Sequence, residues 1–414
     1  MKKSRLTSPI VGNYIQRGRS PKYDKESLDH PIISQKCVQW NSINIEDAKH
    51  ITEDFFKKLE PYRFIQKNDI LWNSTGTGTV GRLNIVKDNY SHVPVDSHVT
   101  LMRMNQFIDS DYIYYFLRSP QIQKNLGDYL TGTTKQKELG LTNILKINIP
   151  LPPVSEQSRI AAKIVQLLAL LRKVESSTQQ YAKLQTLLKS KVLDLAMRGK
   201  LVEQDPNDEP ASVLLEKIKA EKEQLIKEKK MKKSKPLPPI ADDEKPFEIP
   251  DSWEWVRLGE VNTYIGKNIH PEKTPEQLFE LYSVPIYETN SPEITSGKEI
   301  KSNKQTVIPD DILLCKINPR INRVWRVGNY TNYKNIASTE WIVVRQSQLL
   351  PDYLRYVLMS PYFRKLLQSN VSGVGGSLTR AKPVLVKKYV IPIPPLSEQS
   401  RISLKIAHLF TLLK

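Results

Sequence analysis

A stretch of 21 residues occurs twice in this chain. PPVSEQSRIAAKIVQLLALLR from Pro152 returns from Pro394 as PPLSEQSRISLKIAHLFTLLK, 242 residues later and identical at 13 positions. Weaker matches lie upstream at nearly the same offset. Asp69-Ile70-Leu71 answers Asp311-Ile312-Leu313, Asp111-Tyr112 answers Asp352-Tyr353, Ser119-Pro120 answers Ser360-Pro361, and Gly132 answers Gly373. Whatever the chain folds into, it builds one domain-plus-helix unit twice. The sequence between the anchors diverges: STGTGTVGRLNIV at 74–86 faces KINPRINRVWRV at 316–327. One scaffold with two loop sets suggests two sites that read different things.

The repeated motif opens a helix. Pro152-Pro153 ends any upstream helix, Ser155 is a good N-cap, and Glu156 suits the first turn. Positions 160, 164, 167, 171, 174, 178, 181, 185, 188, 192 and 195 then step by fours and threes, with only Thr178 and Gln185 polar. That spacing predicts a helix over 155–198 with a narrow apolar seam for a partner helix and Gly199 as C-cap. A second helical stretch at 211–233 runs into KEKKMKKSKPLPP, read either as a phosphate-touching run or as a solvated linker. The divisions expected are a first domain over 1–150, a helical spacer and linker over 151–245, a second domain over 246–395, and the start of a distal helix over 396–414. KNDILWN and VTLMRMNQ read as strands and 111–126 as a helix; PDDILLCKI, TEWIVVRQ and 352–368 repeat the series, an α+β pattern.

Charge narrows the partner. The chain carries 62 Lys and Arg against 44 acids, net +18, with an excess of six in residues 1–150 and again in 251–395. A basic surplus spread over both halves is naturally explained by a polyanion partner, the alternative being a merely basic soluble protein. No apolar run approaches the ~20 residues of a membrane helix, and the first residues lack the apolar core of a signal peptide, so a cytoplasmic location is expected. Cys37 and Cys315 fit no metal-ligand spacing and read as buried thiols of a reducing compartment.

Motifs that could carry a reaction fail on context. Gly76-Thr77-Gly78-Thr79-Val80-Gly81 has the spacing of a dinucleotide loop, yet RLNIVKD after it reads as a strand where a helix is required. The segment is therefore expected to be a hairpin. His92, Asp96 and His98 could be metal ligands, but period-two spacing in a strand explains them and the second half lacks them.

What remains are polar, basic loops whose Gly residues allow close backbone approach and whose side chains can bond phosphates and base edges. The first half offers Arg17, Arg19, Lys22, then Asn73, Ser74, Thr75, Thr77, Thr79 and Arg82 of the hairpin, and Thr133, Thr134, Lys135, Gln136 and Lys137. The second offers Lys316, Asn318, Arg320, Asn322, Arg323 and Arg326, with Ser377, Thr379, Arg380 and Lys382.

At PLPPVSEQSRI (150–160) and its echo PIPPLSEQSRI (392–402), at Trp253-Glu254-Trp255-Val256-Arg257-Leu258-Gly259-Glu260, at the NDIL strand (68–71) and at the GTGTxGR hairpin (76–82), the chain resembles the specificity (S) subunits of type I restriction–modification systems. The resemblance implies two target-recognition domains of mixed α/β structure, joined by long helices in an antiparallel coiled coil that sets the gap between two half-sites of double-stranded DNA. It implies docking of methyltransferase (M) subunits with S-adenosylmethionine and of a restriction (R) subunit with ATP and Mg, and no cofactor or catalysis in this chain. Glu156, Gln157, Arg159, Glu398, Gln399 and Arg401 are then candidate docking residues. Two departures stand out: the first domain lacks the Trp-x-Trp-Val entry, and the distal helix stops at Lys414, 18 residues from Ser397. The uncovered seam leaves room for an M subunit or a second copy of this chain, and the shortening for a non-productive decoy. A coiled-coil scaffold with duplicated protein-binding domains is the alternative from another class.

Overall fold

The computed structural model describes residues 3–6, 11–24, 26, 28–132, 137–233, 235–369, 371–372 and 379–413. They form two compact units, Met1–Ser177 and Thr178–Lys414, which divide within the long helix.

Unit one is organised by the short strand Ile70–Asn73, buried at every position. It pairs antiparallel with Leu83–Ile85 on one side and Val99–Met104 on the other, and Gly12–Arg17 completes a four-stranded sheet. Side chains alternate between the two faces as strand geometry requires. Ile70 and Trp72 join Ile113, Leu117 and Ile122 of the covering helices. Leu71 and Leu101 join Ile33, Cys37 and Val38 on the other face. The helix expected over 111–126 is broken in two, Ser110–Arg118 and Pro120–Gln123. Ser119 is extended at ψ 153° because the residue before a proline is driven from the helical region. The second half breaks identically, between Pro351–Met359 and Pro361–Ser369.

Unit two repeats the frame. Ile312–Cys315 lies between Val324–Arg326 and Trp341–Val344, again antiparallel and again fully buried. The units differ in the small sheets beside the frame. Unit one has three short strands, Tyr23–Asp24, Lys49–Ile51 and Pro31–Ile32. Unit two has five, with Leu278–Tyr282 parallel to Lys334–Ser338 at the centre.

One buried ion pair recurs in both frames. Asp69 accepts from Arg103 Nε (2.9 Å) and Nη2 (2.7 Å), and from the backbone N–H of Gln66. Asp311 accepts from Arg345 Nε and Nη2, both at 2.6 Å, and from the N–H of Ile308. Each aspartate is 1 % exposed. Burial raises both carboxyls, and the guanidinium fork opposes that shift.

Two expectations are corrected. The first domain does possess an entry strand: Lys3–Arg5 pairs with Asn148–Pro150 as Glu254–Arg257 pairs with Val390–Ile393. Lys3 opposite Pro150 takes the place of Trp255 opposite Pro392, so backbone pairing survives without the tryptophan signature. The Pro-rich segment after the basic run is not a free linker either. Arg257, 1 % exposed, donates to the carbonyls of Pro238 (2.7 Å) and Pro239 (2.8 Å) and to Glu244, fastening it to the entry strand.

The long helix spans Val154–Met197, 44 residues, or about 66 Å at ~1.5 Å per residue. It starts one residue earlier than expected, because the Pro153 carbonyl accepts from Glu156 (2.8 Å) and Gln157 (3.0 Å) and takes the capping place of Ser155. At its end Gly199 adopts φ 65°, with Lys200 N–H bonded to Leu195 and Gly199 N–H to Ala196, the paired bonds of a left-handed cap. Its first turns pack Ala161 and Ile160 into unit one. Its last turns and the helix Leu396–Leu412 share one hydrophobic cluster in unit two, to which they give Leu193, Ala196 and Met197, and Ile402 and Ile406. Lys189 sits over the Phe410 ring and Gln204 bonds Glu398, so the two run antiparallel. Between these ends Val165, Leu167, Leu171, Val174, Tyr181, Leu184 and Leu188 are exposed.

Breaking the buried pair should be costly. Asp69→Ala leaves Arg103 without its carboxylate and is expected to lower stability by about 3–5 kcal/mol, measured by urea unfolding. A loss below about 1 kcal/mol, the range of surface pairs, would show that the pair does not hold the frame.

Candidate nucleic-acid interface

Where the buried central strand ends, both units build the same backbone cradle. In unit one the N–H of Ser74 donates to His98 O (2.9 Å), and the Ser74 carbonyl accepts from Leu139 N (2.7 Å). In unit two the N–H of Lys316 donates to Glu340 O (2.9 Å), and its carbonyl accepts from Ala381 N (2.9 Å). The bridge Thr75↔Glu138 has its counterpart in Ile317↔Arg380. Every pair is separated by the offset of the sequence repeat. Three chain segments far apart in sequence therefore converge on one spot, twice.

The hairpin of unit one is confirmed, with Leu83–Ile85 a strand where a dinucleotide loop needs a helix. Gly76, Gly78 and Gly81 all have positive φ. At Gly81 (φ 90°) any Cβ would lie 2.3 Å from Leu126 Cδ2, and the carbonyl of this glycine receives Trp72 Nε1–H (3.0 Å). The hairpin is thus bolted to the core, leaving Thr75 and Thr77 at the rim. Thr75 Oγ1 lies 2.7 Å from His98 Nδ1 and 3.4 Å from Gln35 Oε1. Arg17 bonds Glu138 and the Leu139 carbonyl (2.7 Å), holding the far wall, and Lys137 is exposed beside it. The concavity so formed measures about 350 Å³.

The equivalent concavity of unit two is larger, about 730 Å³, and charged. Glu340 lies 3.2 Å from Arg380, and Glu288 lies 3.9 Å from Arg323. Asn318 and Asn322 turn the loop with φ of 48° and 54°, and the Asn318 N–H donates to Thr379 O.

The expected contact residues divide sharply. Thr75, Thr77, Lys137, Lys316, Arg323, Thr379 and Arg380 stand at or beside the cradles, and Lys22, Arg320 and Lys382 are exposed on neighbouring loops. Asn73 and Ser74 are buried: Asn73 donates to Gln35 O and Val38 O, and Ser74 pairs with Thr100. Thr79 bonds the Thr75 carbonyl inside the hairpin, and Asn322 donates to Leu358 O. Arg19 is tied to Glu60, Arg82 to Gln39, and Arg326 to Asp310 and Asp352. Thr133, Thr134, Lys135, Gln136 and Ser377 lie outside the described residues. Sequence reasoning missed Gln35, Glu138, Glu288 and Glu340 and weighed His98 only as a metal ligand. Extending the 242-residue offset to positions that do not match in identity would have paired His98 with Glu340 and Glu138 with Arg380.

The expected docking residues also need correction. Gln157 is buried: its amide donates to Pro152 O (2.8 Å) and its carbonyl accepts from Asp109 N (3.0 Å). Gln399 repeats this with Pro394 O and Leu350 N, both at 3.0 Å. Glu398 is buried against Trp253 Nε1 (2.8 Å) and Gln204, and burial raises its carboxyl. These three motif residues staple the helices to their own domains. Arg401 is paired with Asp208, Glu156 is half-buried, and Arg159 is exposed. Cys37 and Cys315 are buried free thiols, both raised by burial. Among the described residues no helix is long and apolar enough to cross a membrane, and no cluster of three or more potential ligands could hold a metal.

The fold and its paired cradles define a tandem of equivalent α+β domains carried on a long helix. The type I restriction modification DNA specificity domain matches residues 11–185 and again 250–412, and the chain belongs to this family. It is 37 % identical to the type I restriction enzyme EcoAI specificity subunit of Escherichia coli over 54 % of this chain and 39 % of that protein. Over 98 % of this chain and 81 % of the relative, it is 21 % identical to the EcoKI specificity subunit of E. coli strain K12. The matched stretch thus spans about two fifths of the EcoAI subunit and most of the EcoKI one. The HsdS subunit of Thermoanaerobacter tengcongensis shares the fold with a TM-score of 0.55 at 17 % identity, covering 100 % of this chain and 90 % of that one. A chain from a structure described as the basis of complex assembly and conformational transition of the type I R-M system has a TM-score of 0.58 at 18 % identity, with the same coverages.

If the motif glutamines are staples, Gln399→Ala should cost roughly 2 kcal/mol or more in denaturant unfolding, since it orphans a buried N–H and a carbonyl. Arg159→Ala should stay within about 0.5 kcal/mol. Equal, small effects would return Gln399 to the surface role.

Proposed function

We propose that this chain is the DNA sequence-reading subunit of a type I restriction–modification complex, each domain reading one half of a split double-stranded target. The observation that carries this reading is the duplicated cradle, the same backbone bonds surrounding different side chains. Two such readers in one chain suit two unlike half-sites. The net charge of +18 suits a phosphate backbone. Thr77, Lys137, Lys22, Arg320 and Lys382 are the proposed backbone contacts, being exposed and free to turn toward phosphate. Thr75, His98, Glu340 and Arg380 sit in the cradles where base edges would lie.

The chain itself carries out no reaction in this proposal. S-adenosylmethionine belongs to methyltransferase subunits and ATP with Mg to a restriction subunit. The exposed apolar seam from Val165 to Leu188 is the docking surface for a helical partner, methyltransferase subunits being the occupants. Buried free thiols suit the reducing cytoplasm.

Two measurements test this. Affinity for target DNA should fall by about a thousandfold or more between 50 and 200 mM salt if six or more phosphates are engaged; a salt-insensitive interaction would favour a protein-binding scaffold. Expressed with its cognate methyltransferase subunit, the chain should direct adenine methylation to a motif of two different halves and a fixed gap. A palindromic motif would mean that one domain reads in a homodimer, and no motif would sink the assignment.

A further inference from the structure

The two cradles differ in charge at equivalent positions. Where unit one has His98 and Glu138, unit two has Glu340 and Arg380. In unit one Glu138 is engaged by Arg17, and the other polar groups at the rim include Thr75, His98, Gln35 and the exposed Lys137. In unit two the side chain of Arg380 is 59 % exposed and its guanidinium lies 3.2 Å from Glu340. The concavity beside them is lined by further carboxylates, Glu288, Glu293 and Glu299, and by the cations Lys301, Lys304 and Arg323. Charges of both signs thus line the wall. It suits a surface that offers amino groups as well as acceptors.

The edge of a G·C pair in the major groove has that composition. Guanine presents two acceptors, N7 and O6, and cytosine presents the N4 amino donor. Arg380 presents N–H donors in a planar fork, the geometry that matches the two acceptors of guanine. Glu340 both orients that fork and offers carboxylate oxygens to an amino group. The backbone bridge Ile317↔Arg380 and the bond from Lys316 N to Glu340 O fix both residues at the lip of the cradle. We propose that Arg380 and Glu340 together read one G·C pair in the half-site bound by the second domain, an assignment that rests on the DNA-reading function above. Arg380 donates to guanine and Glu340 accepts from cytosine. The first domain has Glu138 at this place, engaged by Arg17, and offers no such fork.

The test is to map methylated adenines in cells expressing the full chain with its cognate methyltransferase subunit, as wild type, Arg380→Ala and Glu340→Gln. Arg380 is on the surface, so its truncation leaves the core intact. The expected result is that Arg380→Ala keeps the gap and one half of the motif unchanged. In the other half a single G·C position becomes degenerate, with discrimination falling on the order of tenfold to a hundredfold. Glu340→Gln, which keeps the shape and replaces an acceptor oxygen by an amino group, should loosen the same position. An unchanged motif in Arg380→Ala overturns the proposal. So does a uniform loss of methylation with no degenerate position, the signature of a phosphate contact. Either result, obtained beside a wild-type protein that methylates a split motif, leaves the broader reading standing. A wild type that directs no split motif removes that reading, and this assignment with it.

Discussion

An aspartate at the start of the central strand, forked by an arginine from the neighbouring strand, sets the frame in both halves. Asp69 and Asp311 are buried against the half-buried Arg103 and Arg345, and each carboxylate also caps a backbone N–H of the turn before it. Register in a sheet is unforgiving, because a slip of one residue turns every side chain to the opposite face. The ion pair ties the two strands at one point, and the alternation of Ile70, Leu71 and Trp72 between two cores makes every other register costly. With the register fixed, the chain leaves the sheet at Ser74 or Lys316, where the cradle begins.

The cradle is made of backbone. The bonds from Ser74 to His98 and Leu139, and from Lys316 to Glu340 and Ala381, use N–H and C=O groups that every residue but proline possesses. Side chains at the rim can therefore change from threonine to isoleucine or from glutamate to arginine without disturbing the frame. The proposed reading of two unlike half-sites needs this separation. The part that must stay rigid is paid for by groups the sequence cannot alter, and the part that must vary projects from it. In unit two the five-stranded sheet contributes Leu281, Glu293, Thr295 and Lys304 to the wall of the concavity, which is the larger of the two.

The repeated Pro-Pro-x-Ser-Glu-Gln motif has a related task. Its glutamine joins the first turn of each helix to the helix covering the sheet, by way of Asp109 in one unit and Leu350 in the other. The direction in which each helix leaves its domain follows from that bond. The motif is the most conspicuous feature of the sequence, yet its glutamines face inward. The surface offered outward is the plain apolar seam between Val165 and Leu188.

The duplication, the α+β pattern, the long helix with its Gly199 cap and the hairpin at 74–82 were legible in the sequence, because each rests on local rules: identity at a fixed offset, periodicity, and the preferences of proline and glycine. The entry strand Lys3–Arg5 was not, since pairing with Asn148–Pro150 is a backbone event that its residues do not advertise. Nor was the fastening of the proline-rich segment by Arg257, whose acceptors lie on distant residues. Among the polar loop residues, sequence alone could say which were suited to DNA but not which were already spent on internal bonds. Asn73, Ser74 and Arg326 are spent, while His98 and Glu340 stand at the cradles. Residue type and spacing determine what a side chain is able to bond. Only the tertiary structure decides what it meets, because partners such as Thr75, His98 and Glu138 come from three distant segments that folding alone brings together.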